Sequence, residues 1–394
     1  MLNLELYLCE LEEIVNIDSG SYDANGVNKV QDWFYHKFVD TLGFIPTSYD
    51  FTPRGALKLG RSMLYATSAN HQFDLLVLCH VDTVFPKGEV AVRPFEIVGD
   101  EVKGPGTADM KGGCLYTWYA IEELIRNKEQ IGNIGFFFNG EHEIGCPNTR
   151  SVMEKLITES RIIIAGECTR ANGAYVKQRK GILRFTLEFE GIEAHAGNNP
   201  QDGACALEEM AHWILALKGL ANADKGITIN TGIAKGGNSV NTIPNFAQLY
   251  IDIRVQEIND ALEMEKKVHA LMPFNSKVTV KITGGITRPP MVPNAKTEIL
   301  CHEVEKIGEK HGVNVTWASV GGGSDASFAS ALGRPVLCGL TPTGTGAHTK
   351  NEAIFLKDIH QRYDIYRDLI KAFSNMTDLD LNPQAQIHEA ASID

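Results

Sequence analysis

Four short stretches of the chain are apolar at nearly every position: 74–79, 133–138, 161–165 and 334–338. Strands that are apolar throughout, rather than at alternate positions, belong to a sheet covered on both faces. Helical apolar spacing separates them, as in 114–126 and 151–158, and another helical pattern, 325–332, precedes the last run. The N-terminus shows the same period in Leu4, Leu8, Leu11 and Val15, with Glu5, Glu10, Glu12 and Glu13 off that face. Strands alternating with helices predict an α/β domain with a sheet buried between helices.

The middle of the chain follows a different rule. Positions 183–190 alternate, with Leu183, Phe185, Leu187 and Phe189 apolar, so this strand is buried on one face only. A helix is expected at 204–220, strands near 226–234 and 245–255, a helix at 258–271 and a strand near 276–284. That order is β-α-β-β-α-β, a ferredoxin-like α+β unit. At 394 residues the chain exceeds what one core usually organises, about 250–300 residues. The expected arrangement is an inserted domain at 180–288 within a catalytic domain made of 1–179 and 289–394.

A formal net charge of -12 argues against a nucleic-acid partner, which calls for a basic patch. It leaves room for an anionic substrate, because bound divalent cations make a site locally positive. Eight cysteines are scattered without a CxxC pair, which predicts free, mostly buried thiols in the reducing cytoplasm. The sequence has neither an apolar run of about 18 residues nor a signal-peptide pattern at its N-terminus, so no membrane association is expected. The polar stretch 375–394 has weak periodicity and is expected to be partly disordered.

The candidate chemistry gathers after the apolar runs. His80 and Asp82 follow 74–79, Glu141, His142 and Glu143 follow 133–138, Glu167 follows 161–165, and His348 follows 334–338 after a Gly-rich loop. Ligands of open α/β sheets collect at the carboxyl ends of strands. Asp109 lies in a further Gly-rich loop, 104–113, that runs into a helix. Imidazole and carboxylate are zinc donors, although they also suit cobalt or manganese. Three carboxylates, Asp109, Glu143 and Glu167, balance two divalent cations and one hydroxide, whereas a single cation leaves the set too acidic.

These segments resemble the M20 metallopeptidases, which include aminoacylases, succinyl-diaminopimelate desuccinylases and glutamate-carboxypeptidase-like enzymes. His80-Val-Asp-Thr-Val84 is similar to the family's HxDxV motif, and 104–113 to its GxGxxDMKGG loop. Glu167-Cys-Thr, His195-Ala-Gly197, Asn241-Thr-Ile-Pro244, Gly321-Gly-Gly-Ser-Asp325 and Gly346-Ala-His348 resemble later motifs, and Arg288-Pro-Pro-Met291 resembles the glutamate-carboxypeptidase-like branch. The resemblance implies a homodimer, with the inserted domain as the dimerisation module. It implies two zinc ions: one on His80 and Glu167, the other on Glu143 and His348, with Asp109 bridging. Asp82 would accept from the free ring nitrogen of His80. His195 and Asn241 would reach the partner's active site, His195 to stabilise the oxyanion. Arg254 and Arg288, with Gly322 of the glycine motif, would bind substrate. The implied reaction is cleavage of an amide bond beside a free carboxylate, in a small peptide or an N-acyl amino acid.

One departure stands out. The family's Asp-Glu-Glu-x-Gly, whose first Glu is the general base, is replaced by Glu141-His-Glu-Ile-Gly145. Glu143 keeps the ligand position and His142 takes that of the base. Three readings follow. His142 serves as base, unless it binds a cation itself. Alternatively Glu141 reaches in through a bulge, because strand alternation points 141 and 143 the same way. Otherwise the base is absent and the chain is a weak or inactive homologue that binds a ligand.

Overall fold

Seven of the eight residues of Phe73–His80 are buried. The computed structural model describes residues 2–51 and 58–383, and places this strand inside an eight-stranded mixed sheet. The strand order is Ile45–Tyr49, Ser62–Ala66, Ile134–Asn139, Phe73–His80, Ser160–Ala165, Val336–Cys338, Tyr175–Arg179, Trp317–Val320. Phe73–His80 runs parallel to both neighbours, with His80 opposite Asn139 and Leu78 opposite Ala165. Val336–Cys338 continues the parallel set, with Cys338 beside Ala165. The carboxyl ends of four buried strands therefore open at one edge of the sheet. The helices Gly112–Arg126 and Ile359–Asn375 pack against Phe73–His80, and Arg150–Thr158 packs against Ser160–Ala165. Phe38 stacks on Tyr65 with centroids 4.6 Å apart and lies against Phe136 and Phe138, adding aromatic contacts to the burial.

The described residues fall into two compact units. The first is Met1–Gln178, Pro293–Ser319 and Ser324–Asp394; the second is Arg179–Val292 with Val320–Gly323. The second holds an antiparallel sheet in the order Thr228–Gly236, Phe246–Val255, Gly181–Glu190, Thr279–Arg288. Its helices Ala206–Lys218 and Ile258–His269 cover the face that carries Leu183, Phe185, Leu187, Phe189, Leu249, Ile251 and Ile253. The alternation in the sequence is this one-sided burial.

Three boundaries differ from the sequence reading. The last strand is Thr279–Arg288 rather than 276–284, because it runs on through Gly284 and Gly285, whose φ values of 108° and 155° let the backbone bend without ending the pairing. Segment 320–323 belongs with the second unit: the Val320 carbonyl accepts from Lys180 N–H, Gly321 from Arg254 and Gly322 from Arg179. The Gly-rich loop before His348 contains a strand, Thr341–Thr345.

All eight cysteines are free; Cys79, Cys114, Cys146, Cys301 and Cys338 are buried and Cys9 is exposed. Among the described residues no helix is long and apolar enough to cross a membrane. The polar stretch from 375 begins at the end of Ile359–Asn375, and its residues 384–394 lie outside those described.

Candidate metal centre

His80 ends a buried strand, Glu143 lies in the turn after Ile134–Asn139, and Glu167 lies two residues beyond Ser160–Ala165. Asp109 sits in the kinked segment Thr107–Lys111 at the head of Gly112–Arg126. His348 follows Thr341–Thr345 with a left-handed φ of 65°. Gly113 lets the Asp109 segment approach the strand end that carries Glu167: a Cβ there would lie 2.1 Å from the Gly166 carbonyl oxygen.

Asp109 lies between two imidazoles. Its Oδ1 is 3.0 Å from His80 Nε2 and its Oδ2 is 3.1 Å from His348 Nε2. His348 Nε2 is also 3.2 Å from Glu143 Oε2. Donor atoms of His80, Asp109 and Glu143 fall within 4.8 Å of one another, as do those of His80, His142 and Glu167. Electrostatics follow from this crowding. Burial opposes a charge on His80, yet Asp109 and Asp82 hold its pKa well above the usual imidazole range. Burial likewise opposes ionisation of Asp109, but His348 and His80 keep its carboxyl well below the usual range. Hydrogen bonds to Asp109 and Glu143 raise His348 to about 10, while burial and the charge of Asp109 raise Glu143. Carboxylates that hold protons on two rings in this way also attract cations, and a cation would displace those protons.

The donor set fits divalent cations. Imidazoles and carboxylates converge, and Glu143 Oε1 is buried without a hydrogen-bond partner among the described residues. Such an oxygen is costly to leave unsatisfied and is accounted for by coordination.

Supporting groups that the sequence reading did not identify hold these ligands. Glu352 Oε1 accepts from the backbone N–H of Ala108 and Asp109 at 3.0 and 2.9 Å; burial and the charge of Asp109 raise its pKa to about 7. Ser324 Oγ donates to Glu167 Oε1 at 3.0 Å. Lys111 is fully buried and donates to the Ile17 carbonyl at 2.7 Å. Glu352 lies 243 residues from Asp109 in the chain, so no local spacing signals the pair.

Asp82 turns both its backbone carbonyl and its carboxylate toward the free ring nitrogen of His80. His80 Nδ1 donates to the Asp82 backbone carbonyl at 3.0 Å and lies 3.5 Å from its carboxylate. The carboxylate itself accepts from the N–H of His142 and of Glu143, each at 3.0 Å, and from Ser21 Oγ at 2.6 Å. Asp82 thereby fixes the turn that presents Glu143.

Glu141 and His142 part company. The strand ends at Asn139 and 142–145 form a turn, so strand alternation does not carry through Glu141 to His142 and Glu143. The Glu141 carboxylate accepts from Asn148 N–H at 2.6 Å, Asn148 Nδ2 at 2.9 Å and Thr149 Oγ1 at 2.8 Å, and from Thr149 N–H. It serves the N-terminus of Arg150–Thr158, where a negative charge is favoured. Glu141→Ala is expected to leave those buried donors unsatisfied and lower stability by about 1–3 kcal/mol, while kcat of the folded fraction stays within about threefold. A thermal melt and active-site-normalised kinetics check this; a large kcat loss would return Glu141 to the chemistry.

His142 faces the centre. Its ring stacks on that of His80 with centroids 4.0 Å apart and planes 5° apart. Its Nδ1 is 2.9 Å from Asp325 Oδ1, and Asp325 also accepts from Asn139 Nδ2 at 2.9 Å and Cys146 Sγ at 3.3 Å. A carboxylate accepting from all these donors places the proton of the neutral ring on Nδ1 and leaves the lone pair on Nε2.

The remaining candidates lie in the second unit. His195 is exposed and pairs through Ala194–His195 with Thr242–Ile243. Its Nδ1 accepts from the N–H of Gly197 and Asn198, each at 3.1 Å, so the neutral ring carries its proton on Nε2. The Asn241 carbonyl accepts from Ala196 N–H at 3.0 Å, holding Asn241 beside that pair. Arg254 makes a two-pronged pair with Asp252 at 2.6 and 3.0 Å, Arg288 is buried, and the Gly322 carbonyl accepts from Arg179 at 3.1 Å.

A mixed sheet whose strand ends gather imidazoles and carboxylates around one shared aspartate defines a metal-dependent hydrolase. The chain belongs to peptidase family M20/M25/M40, whose sequence model matches residues 76–372. It is 29% identical to carboxypeptidase G2 of Pseudomonas sp. (strain RS-16) over 362 residues, covering 89% of this chain and 85% of that protein. It is 25% identical to a succinyl-diaminopimelate desuccinylase of Rickettsia bellii, covering 80% of this chain and 85% of the relative. The fold matches the aminopeptidase PepT of Bacillus cereus with a TM-score of 0.75 and 21% identity, over 95% of this chain and all of that one. It also matches the M20 metallo-carboxypeptidase Sso-CP2 of Sulfolobus solfataricus with a TM-score of 0.71 and 16% identity, over the same shares.

Proposed function

We propose that the chain removes an amino acid with a free carboxylate by hydrolysing its amide bond, from the C-terminus of a small peptide or from an N-acyl amino acid. The observation that carries this reading is Asp109, one half-buried carboxylate within 3.1 Å of two imidazoles from opposite parts of the sequence. His80 and Glu167 would hold one divalent cation, Glu143 and His348 a second, and Asp109 would bridge them, with zinc the favoured metal. Such cations lower the pKa of water toward about 7 and polarise an amide carbonyl.

The chain's own groups supply the rest. His142, with Nδ1 fixed by Asp325, accepts the proton of the attacking water at Nε2 and passes it to the departing amine. His195 offers its Nε2–H to the developing oxyanion. Arg288 and Arg254, with Asn241 and Gly322, are assigned to the substrate carboxylate and the neighbouring amide; Arg254 would do this while paired to Asp252. The second unit is assigned as the surface of a homodimer, and the free thiols favour a cytoplasmic setting. The similarity to carboxypeptidase G2 supports C-terminal amino acid release over a biosynthetic desuccinylase role.

The test is a panel of dipeptides and N-acyl amino acids, each also prepared as the α-amide, given to zinc-loaded protein. Cleavage is expected of the acids, with kcat/KM at least about 10²-fold lower for the amides, since a buried ion pair is lost. Equal rates on acids and amides, or no cleavage at all, would overturn the assignment.

A further inference from the structure

We infer that a recess beside Glu143 is the acyl-side specificity pocket and takes an uncharged apolar group, aliphatic or aromatic. This rests on the amide-hydrolase reading above and adds the class of acyl group. The recess has a volume of about 460 Å³, with Tyr22, Val84, Phe85, Pro86 and Ile144 in its lining and Glu143 among them. Tyr22 and Val84 are 67% and 42% exposed, large apolar surfaces left uncovered next to a polar centre.

The walls are tied to the centre. Thr83 N–H donates to the Ser19 carbonyl at 2.9 Å and Ser21 N–H to the Thr83 carbonyl at 3.2 Å, joining the segments that carry Tyr22 and Val84. Gly20 allows that join, because a Cβ there would lie 2.2 Å from the Phe85 carbonyl oxygen. Ser21 then donates to Asp82, the carboxylate that also holds the N–H groups of His142 and Glu143. The apolar wall is thus fixed relative to the proposed base and ligand, as an acyl pocket requires.

Charge selects the occupant. The cation in the lining, Lys87, has Asp23 3.6 Å away, and the charge of Glu143 would be taken up by the cation it holds. A carboxylate placed here, such as that of a succinyl group, would meet Asp23, and the one side-chain cation of the lining, Lys87, is already opposed by it. The recess therefore suits neither the amino-acid carboxylate nor an anionic acyl group.

The experiment compares N-acetyl, N-hexanoyl, N-benzoyl and N-succinyl forms of the amino acid cleaved best. Each methylene buried is worth about fourfold, so hexanoyl, with two or three of its additional methylenes buried, is expected to exceed acetyl in kcat/KM by about 10–100-fold, with succinyl below acetyl. Val84→Asp, at an exposed position that tolerates it, should bring the hexanoyl-to-acetyl ratio to within about threefold of one; Tyr22→Ser serves if that variant does not fold. Calorimetry with N-hexyl and N-ethyl amino acids, which lack the scissile carbonyl, reads the pocket without turnover. Tighter binding of N-hexyl without cleavage of any amide overturns the hydrolase reading and keeps the pocket. Cleavage with no hexanoyl preference, equal binding of the two amines, or succinyl as the best acyl group overturns the pocket.

Discussion

Asp109→Ala is expected to retain at most one divalent cation per chain and to lose at least about 10³-fold in kcat. The loss follows from what the carboxylate touches. Its two oxygens each meet one imidazole, at 3.0 and 3.1 Å, and its backbone N–H is held by Glu352. Without the shared anion, two cations a few ångströms apart would repel with nothing between them, and His80 and His348 would lose the group that aligns their Nε2 atoms. Several kcal/mol of transition-state stabilisation depend on those cations, and each 1.36 kcal/mol is tenfold in rate. Asp109→Asn keeps the shape and removes the charge, so it should fail in the same way. Metal analysis by plasma mass spectrometry after dialysis, with kcat measured alongside, checks both variants. Retention of two cations by either would show that Asp109 does not bridge.

His142→Ala should lower kcat by about 10²–10⁴-fold while both cations stay bound, the size of effect general-base assistance has elsewhere. His142→Glu, which restores the residue usual in the family, should recover activity to within about tenfold of the native chain. The geometry makes this test sharp, because a donor atom of His142 also lies within 4.8 Å of those of His80 and Glu167. A cation lost from His142→Ala would make the ring a ligand instead of a base. Asp325→Asn separates position from chemistry: its amide can offer Nδ1 an N–H where an acceptor is needed, so the ring's tautomer preference weakens. A kcat decrease in that variant without a change in KM or metal content is the expected signature.

Much of this centre was legible in the sequence, for a physical reason. Continuous apolar runs mark strands buried on both faces, and the residues after such runs emerge at one sheet edge. His80, Glu143 and Glu167 follow that logic, and their strands stand in register with His80 opposite Asn139 and Leu78 opposite Ala165. The alternation of 183–190 likewise encoded one-sided burial in the second unit. What escaped notice lacks periodicity or depends on distant pairs. Ser62–Ala66 is buried at all five positions, but five residues including a serine are too few to declare themselves. Gly284 and Gly285 look like a strand end and are instead bends within a strand. Alternation failed at Glu141 because it was applied beyond the strand, into a turn whose geometry is set by Asp82 and by Asn148 and Thr149. The partnership of Asp325 with His142 spans nearly half of the chain, and nothing local in either segment announces it.

The most direct test of the account is a zinc titration of the metal-free protein, following heat and bound metal per chain, with Asp109→Ala in parallel. The account predicts saturation at two zinc ions per chain for the native sequence and one or none for the variant, with amide cleavage appearing as the native sites fill. Saturation of the native chain at one ion or none, or full activity after thorough chelation, would contradict it.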